Sequence, residues 1–371
     1  AGARVIAATE NDTVYAFDLQ SGRQLWSAHL GEPVQAATLP CGNIRPVTGI
    51  TGTPVADPAA GLLYVMAFLS GWRHQLFALR LRDGSVAWQA AADPPGADPK
   101  VHQQRPALAL ANGYVYVAYG GLLGDCGDYH GWVLGVSTSN PGSAPLAYRV
   151  PSGRRAGIWA PPGPAVDAAG NLYVATGNSN STTTFDYGNA VIKLSPDLRQ
   201  LDYFAIAEWA QANRTDADLG TTQPSLLDGG LVFVAGKTGQ GYLLRGDHLG
   251  GVGGQAFAAR VCGAAYGGTA YSAPMVYVPC TDGVTALRVE GGRFSTAWHR
   301  GPPSGSPILA AGAVWALEPG AGVLYVLDPA SGKDLARALS VGAASRFMTP
   351  AATAGYVIVG AGRRLVTVAV A

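Results

Sequence analysis

Residues 5–30 read VIAATENDTVYAFDLQSGRQLWSAHL and carry the pattern that decides the fold. Three short runs, 5–9, 14–18 and 24–30, are apolar or alternate between apolar and polar residues, which is typical of β-strands. The joints between them are Asn11-Asp12 and Ser21-Gly22, and Asn and Gly tolerate the positive φ that tight hairpins need. The stretch therefore predicts an antiparallel meander of three strands.

The same pattern recurs along the whole chain. An apolar strand follows a Gly-containing turn at eight places: 5–9, 63–68, 114–119, 172–176, 231–235, 275–279, 313–317 and 356–360. A shorter strand precedes seven of them, usually entered through a Pro, and a third and often a fourth strand follow. The unit is thus about 40 to 50 residues of four antiparallel strands, which is typical of β-propeller blades.

We predict an all-β fold, an eight-bladed β-propeller of four-stranded antiparallel blades, as one domain over residues 1–371, with seven blades as the alternative. The first repeat lacks its first strand and the last repeat lacks its fourth. Either a segment before residue 1 completes the ring or the two partial blades lie open side by side. Because the chain starts almost within a strand, we expect that a leader or another segment precedes it.

Composition excludes several classes of function. Of the 371 residues, 48% are hydrophobic and only 13% are charged, and the net charge is +1 with Lys and Arg scattered. Such a chain has no electrostatic footprint for nucleic acid or an anionic membrane, so we expect no nucleic-acid partner. No apolar run reaches the roughly 18–20 residues of a membrane-spanning helix, so we expect no membrane span.

The four cysteines, Cys41, Cys126, Cys262 and Cys280, match neither a CxxC motif nor zinc-finger spacing. Their even number suggests two disulfides in an oxidising compartment, and the alternative is four buried thiols in a cytosolic protein. Cys41 and Cys126 lie in loops of blades close in sequence, and Cys262 and Cys280 flank one strand pair. We therefore pair 41 with 126 and 262 with 280, and expect an extracellular, cell-surface or periplasmic protein.

Residues 14–26, VYAFDLQSGRQLW, resemble the pyrroloquinoline-quinone (PQQ) repeat. The phrase returns at residues 76–88 (LFALRLRDGSVAW) and 324–333 (LYVLDPASGK). The resemblance implies that the Gly starts the last strand of a blade and that the Trp packs as a wedge between neighbouring blades. The PQQ-repeat family contains quinoprotein dehydrogenases and also cofactor-free scaffolds and assembly factors, so the resemblance leaves the function open.

Strand order divides the connections of each blade into two sets. One face of a propeller carries the connections from the second strand to the third and from the fourth strand to the next blade. The other face carries the connections from the first strand to the second and from the third to the fourth. In this chain the first of these two sets is long, as at residues 31–50, 120–131, 178–188 and 209–222, and the other set consists of short turns. Long loops on a rigid scaffold are where binding usually occurs, so we expect a protein partner or small ligand on this long-loop face.

Five residues on the long-loop face follow an order similar to that of quinoprotein dehydrogenases: Trp159, Asn178, Asp216, Asp218 and Lys237. The resemblance implies that Trp159 stacks under the quinone and that Asn178, in a Thr-Gly-Asn motif, ligates Ca²⁺. It further implies that Asp216 or Asp218 is the catalytic base and that Lys237 contacts the cofactor. The alternative is structural: the Trp fills the ring, the Asn caps a turn, and the two Asp satisfy loop amides.

A second polar cluster, of lower specificity, contains His102, Arg105, Asp125, Asp128, Tyr129 and His130. Two His beside two Asp could bind a metal. Their spacing matches no metal-binding pattern, so we favour hydrogen bonding within long loops.

The chain also departs from the dehydrogenase pattern. It has no adjacent Cys pair, no Glu clearly placed as a second Ca²⁺ ligand, and no CxxCH haem motif. We therefore predict a non-catalytic propeller without cofactor that binds a protein partner or ligand through the long-loop face. The alternative is a minimal quinoprotein alcohol or sugar dehydrogenase that uses PQQ and Ca²⁺.

Overall fold

Eight small antiparallel sheets follow one another along the chain, which confirms the predicted eight-bladed β-propeller and rejects the seven-bladed alternative. The computed structural model describes residues 4–353 and 355–370. Contacts divide the chain into two compact units, residues 1–201 and residues 202–371. That the chain forms one domain stays a prediction.

The first unit contains blades 1 to 3 and most of blade 4. Blade 1 contains β1 (Arg4–Thr9), β2 (Thr13–Asp18) and β3 (Gln24–His29), and a separate two-stranded ribbon contains β4 (Val34–Gln35) and β5 (Val47–Thr48). Blade 2 contains β6 (Val55–Asp57), β7 (Leu62–Leu69), β8 (Arg73–Arg80) and β9 (Val86–Ala91). Blade 3 contains β10 (His102–Gln103), β11 (Ala109–Ala111), β12 (Tyr114–Gly121), β13 (Trp132–Ser137) and β14 (Leu146–Arg149), and blade 4 contains β15 (Ala165–Val166), β16 (Leu172–Ala175) and β17 (Ala190–Leu194). Two 3₁₀ turns lie at Ala36–Thr38 and Pro99–Val101. Strand β18 (Gln200–Ala205) carries the chain into the second unit.

The second unit continues with blades 5 to 8. Helix α1 (Trp209–Thr215) comes first, and blade 5 contains β19 (Ser225–Leu227), β20 (Leu231–Ala235), β21 (Gln240–Arg245) and β23 (Phe257–Arg260), while β22 (Gly251–Val252) pairs in parallel with β18. Blade 6 contains β24 (Ala270–Ser272), β25 (Met275–Cys280), β26 (Gly283–Glu290) and β27 (Arg293–Arg300). Blade 7 contains β28 (Ile308–Ala310), β29 (Ala313–Glu318), β30 (Val323–Leu327) and β31 (Leu339–Ser340), and blade 8 contains β32 (Ala351–Thr353), β33 (Tyr356–Ala361) and β34 (Arg364–Ala369). A 3₁₀ turn lies at Asp228–Gly230. The first and last blades have three strands each, as predicted.

Helix α1 was not predicted. It is seven residues long and lies in the long connection that the sequence assigns to residues 209–222. Two turns of helix are too short to show a sustained 3.6-residue period, so the loop pattern conceals it. None of the helices in the described part of the chain has the length and apolar character that a membrane span requires.

The Trp residues act as wedges between neighbouring blades, as the PQQ resemblance implies. The indole Nε1 of Trp26 in blade 1 donates to the Leu81 carbonyl oxygen of blade 2 at 3.0 Å, and Trp298 in blade 6 donates to Pro329 of blade 7 at the same distance. A Cβ at Gly84 would lie 2.5 Å from the Trp26 ring, and Gly84 has a φ of +73°, so both contact and turn require glycine. Burying each indole contributes about 4–6 kcal/mol of hydrophobic free energy.

A β-bulge stands beside each wedge. The pairing between the last two strands of blades 1, 2 and 6 shifts register just after Ala16, Ala78 and Ala286, and these residues lie opposite Trp26, Trp88 and Trp298. A bulge bends and twists the strand locally. The repeat therefore places each Trp at a fixed bend in its blade.

Candidate functional site

Three of the predicted site residues meet in an ion-pair cluster in the second unit. The Lys237 Nζ lies 2.6 Å from Asp218 Oδ2 and 2.9 Å from Asp216 Oδ1. The Asp218 side chain is 9% exposed and the Asp216 side chain is 73% exposed, so one carboxylate is buried and the other faces solvent. We call these three residues the Lys237 cluster.

Backbone geometry holds the Lys237 cluster in place. The Lys237 amide donates to the Asp218 carbonyl oxygen at 2.9 Å, directly after strand β20 ends. A Cβ at Gly236 would lie 2.5 Å from that same carbonyl oxygen, so only glycine allows this approach. Asp216 ends helix α1 with a φ of +55° and thereby turns the chain toward Asp218.

The Lys237 cluster keeps its lysine charged. Burial acts to lower the pKa of the Lys237 ammonium, but the charges and hydrogen bonds of Asp218 and Asp216 outweigh it and raise that pKa. With its pKa raised, Lys237 stays protonated, and its ammonium is paired with two carboxylates. It cannot serve as a base at neutral pH.

The other two predicted residues lie in the first unit. The Arg105 guanidinium carbon is 5.1 Å from the centroid of the Trp159 ring, a cation–π contact, and a Cβ at Gly120 would touch Trp159 Cβ at 2.8 Å. Asn178 is 8% exposed. Its amide oxygen accepts a hydrogen bond from Asn189 Nδ2 at 2.9 Å, and its backbone oxygen accepts one from the Ala156 amide at 2.7 Å.

Each of these contacts has a structural effect. The Asn178–Asn189 bond joins the two ends of the long connection between β16 and β17. The Arg105–Trp159 contact joins the loops that enter blades 3 and 4. Since Trp159 and Asn178 belong to one unit and the Lys237 cluster to the other, their predicted assembly into one cofactor site stays a prediction.

The histidine cluster in the first unit is a hydrogen-bond network. The His130 amide donates to His102 Nε2 at 3.3 Å, and the other His102 ring nitrogen lies 2.8 Å from the Asp98 carbonyl oxygen. Arg149 Nη2 lies 2.7 Å from His130 Nε2. Burial and the Arg149 charge lower the pKa of His130, against a smaller opposite effect of Asp128. These contacts fit the predicted hydrogen bonding within long loops, and the absence of a metal stays a prediction.

Both predicted disulfides are present. Cys41 is bonded to Cys126 and Cys262 to Cys280, with a Cα–Cα distance of 6.2 Å in each. Within the described ranges, the single group of three metal-ligating side chains is Cys262, Cys280 and Asp282, and both sulfurs of that group are in the disulfide. The Cys pairs therefore staple loops and do not bind metal.

Sequence reasoning missed an acidic pair in the first unit. Glu10 Oε2 accepts hydrogen bonds from the Gly49 amide at 2.9 Å and from the Thr51 hydroxyl at 3.1 Å. Asp12 is fully buried, and burial, with the neighbouring Glu10 charge, raises its pKa to about 8, against a smaller opposite effect of the Phe68 amide. Because Asn-Asp read as an ordinary exposed turn, nothing in the local sequence signalled that this carboxyl would be covered.

Comparison with known proteins gives the chain a family. A family model described as "Outer membrane protein assembly factor BamB" matches residues 1–251. Comparison with curated protein sequences finds no significant match.

Solved structures with a similar fold include proteins of both functional kinds. BamB from Moraxella catarrhalis aligns with a TM-score of 0.66 at 16% identity, over 98% of this chain and 92% of that chain. A quinohemoprotein alcohol dehydrogenase from Pseudomonas putida aligns with a TM-score of 0.75 at 13% identity, over 98% and 69%. A europium-containing methanol dehydrogenase aligns with a TM-score of 0.68 at 15% identity, over 96% and 80%.

At such identities the structural likenesses establish the fold alone, whereas the family model covers more than half of the chain. The chain belongs to the PQQ-repeat family whose model is described as outer membrane protein assembly factor BamB.

Proposed function

We propose that this protein is a non-catalytic PQQ-like propeller that binds a protein partner through its long-loop face. One observation carries the proposal: the residues that resemble a quinone site are already engaged with protein groups. Lys237 is held by Asp218 at 2.6 Å and Asp216 at 2.9 Å, and the Asn178 amide oxygen accepts from Asn189. A cofactor would have to displace a partly buried ion pair, which costs several kcal/mol.

As placed, these residues do not fit the roles that the PQQ resemblance implies. A lysine neutralised by two carboxylates offers a quinone no net positive charge, and an Asn oxygen that already accepts a hydrogen bond is a weaker ligand for Ca²⁺. We therefore assign no reaction step to PQQ or Ca²⁺ in this protein. The similarity to the BamB family supports the role of a scaffold or assembly factor.

We further propose an oxidising location, either periplasmic, at the cell surface or secreted. The support is the pair of disulfides, because such bonds persist outside the reducing cytosol. Mass spectrometry of protein isolated from its native compartment, with thiols alkylated in denaturant and without a reductant, should find no modified cysteine. Four alkylated thiols would contradict this location.

The proposal of no catalysis is tested with purified protein, PQQ and Ca²⁺, using alcohols and sugars as substrates and a dye as electron acceptor. We expect neither turnover nor a change in the PQQ absorption spectrum. The matched control is Trp159→Ala, which removes the predicted stacking platform. Robust turnover would overturn the proposal, and turnover that disappears in Trp159→Ala would favour a minimal quinoprotein dehydrogenase with Trp159 in its site.

A further inference from the structure

A cavity of about 150 Å³ lies in the second unit, beside the Cys262–Cys280 disulfide. Three aliphatic hydroxyl side chains line it, from Thr281, Ser304 and Ser306. Aromatic walls come from Tyr266 and Phe347, and one cation, Arg346, completes the lining. The lining thus combines polar and apolar side chains, as that of small-ligand pockets commonly does.

Arg346 is positioned by its surroundings. Its guanidinium carbon lies 4.5 Å from the centroid of the Tyr266 ring and 5.4 Å from that of Phe347. The loop that carries it is tied by backbone bonds from Ala344 to Pro319 at 3.1 Å and from Met348 to Ser345 at 3.0 Å. Stacking on an aromatic ring leaves the edge of a guanidinium free to form paired hydrogen bonds with a carboxylate.

The charge of Arg346 has no acidic partner in residues 4–353 and 355–370. Ser306 adds a donor: its Oγ accepts from the Gly268 amide at 2.9 Å, so its own hydrogen can point elsewhere. Ser306 is 4% exposed, and it lines the cavity with Arg346. A guanidinium and a buried hydroxyl at one small cavity form a set of donors that suits an anion.

We propose that this cavity binds the carboxylate of an acidic side chain on a partner protein. The proposal rests on the proposed function and deepens it by naming the chemistry of the partner. The size supports a side chain, since about 150 Å³ is well below the roughly 300–1,000 Å³ of pockets for drug-sized ligands. The exposure of Arg346 and Thr281 leaves the cavity open to a segment that approaches from solvent. The apolar walls would cover the methylene groups of a Glu.

The test uses the full chain and isothermal titration calorimetry with two blocked pentapeptides, one of Glu and one of Gln. We expect the Glu peptide to bind and the Gln peptide to bind at least about tenfold more weakly, because charge-assisted hydrogen bonds are lost. Equal binding of the two peptides, or binding of neither, would overturn the proposal. This comparison needs no variant and therefore does not depend on the folding of one.

Variants then locate the site. Arg346→Gln should weaken binding of the Glu peptide about tenfold or more, and Ser306→Ala should weaken it by a smaller factor. The matched control is Arg363→Gln, an exposed arginine of the same unit, which removes the same charge and should leave the affinity within about twofold. Equal losses in Arg346→Gln and Arg363→Gln would mean non-specific attraction and would contradict the pocket.

A titration with glutarate tests whether the cavity binds a small free dicarboxylate instead of a peptide. Binding of glutarate without binding of the Glu peptide would overturn the assignment to a partner segment. The outcome is distinguishable from failure of the proposed function, which is judged by turnover with PQQ. If neither turnover nor peptide binding occurs, the pocket proposal fails and the non-catalytic function stands.

Discussion

The two units each hold a pair of acidic residues in their loops, and the two pairs are treated in opposite ways. In the second unit Asp216 and Asp218 share the ammonium of Lys237. In the first unit Glu10 and Asp12 are covered, and neither forms an ion pair with any residue that the structure describes. Burial raises the pKa of Glu10, against the opposing Gly49 and Thr51 hydrogen bonds, and burial raises that of Asp12 to about 8.

The difference shows that a nearby cation decides whether a covered carboxyl is charged. Removing a carboxylate from water without compensation favours its neutral form, whereas an ammonium at hydrogen-bond distance restores the charged form. In the Lys237 cluster the two carboxylates raise the pKa of the Lys237 ammonium. Asp12 is a carboxyl that stays protonated at neutral pH and releases its proton only near pH 8.

At a fixed pH, the largest expected effect comes from removing the Lys237 cation. Lys237→Met leaves Asp218 covered beside Asp216 with no counter-charge, so we expect the free energy of unfolding to fall by about 3 kcal/mol. Urea denaturation followed by circular dichroism measures it. The control, Lys333→Met, removes an exposed lysine of the same unit and should cost less than about 0.5 kcal/mol. Equal costs for the two variants would show that the Lys237 cluster contributes no more than a surface pair.

The second prediction concerns pH. The folded-state pKa of Asp12 is about 8 and the unfolded value is 3.8, so the folded protein holds an extra proton between these values. The stability from Asp12 is therefore complete below about pH 4 and is lost as pH rises toward 8, at up to about 1.4 kcal/mol per pH unit. Asp12→Asn should remove this slope, and Asn tolerates the φ of +53° at this position.

The measurement is a series of urea denaturations from pH 5 to pH 8. Asp83→Asn is the control, because hydrogen bonds from Ser85 hold the pKa of Asp83 at about 2 and outside that range. Its slope should equal that of the unaltered protein. A slope as steep in Asp12→Asn as in the unaltered protein would refute the buried-proton interpretation.

The smallest expected effects are the losses of unfolding free energy when either acid of the Lys237 cluster is neutralised. Asp218→Asn removes the covered partner at 2.6 Å and should cost about 2 kcal/mol. Asp216→Asn removes the solvent-exposed partner at 2.9 Å and should cost less than about 1 kcal/mol, an effect that salt should reduce further. If the two variants lose the same unfolding free energy, burial does not control the strength of the two ion pairs of Lys237.

The local sequence was sufficient to predict the strands and turns of the blades. Alternating residues set the strand period, and turn residues such as Gly84 set the φ that a hairpin requires, so both can be recognised within a few residues. The Trp wedges could also be predicted, because each follows its turn at a nearly fixed spacing. The disulfide pairs were accessible for a related reason: the order of strands places each Cys in a known loop.

The sequence alone determined the blade pattern and predicted eight blades and the two disulfide pairs, because these depend on short-range pattern and on strand order. Only the tertiary structure decided which cation meets which carboxylate. Lys237 reaches Asp218 because a glycine turn lets two backbones approach, and Arg346 stacks on Tyr266 because distant loops converge. Asp12 lies in a turn that reads as exposed and is buried by loops remote in sequence. Charge state depends on this packing, since the cost of burying a carboxyl is set by neighbours that the local sequence does not contain.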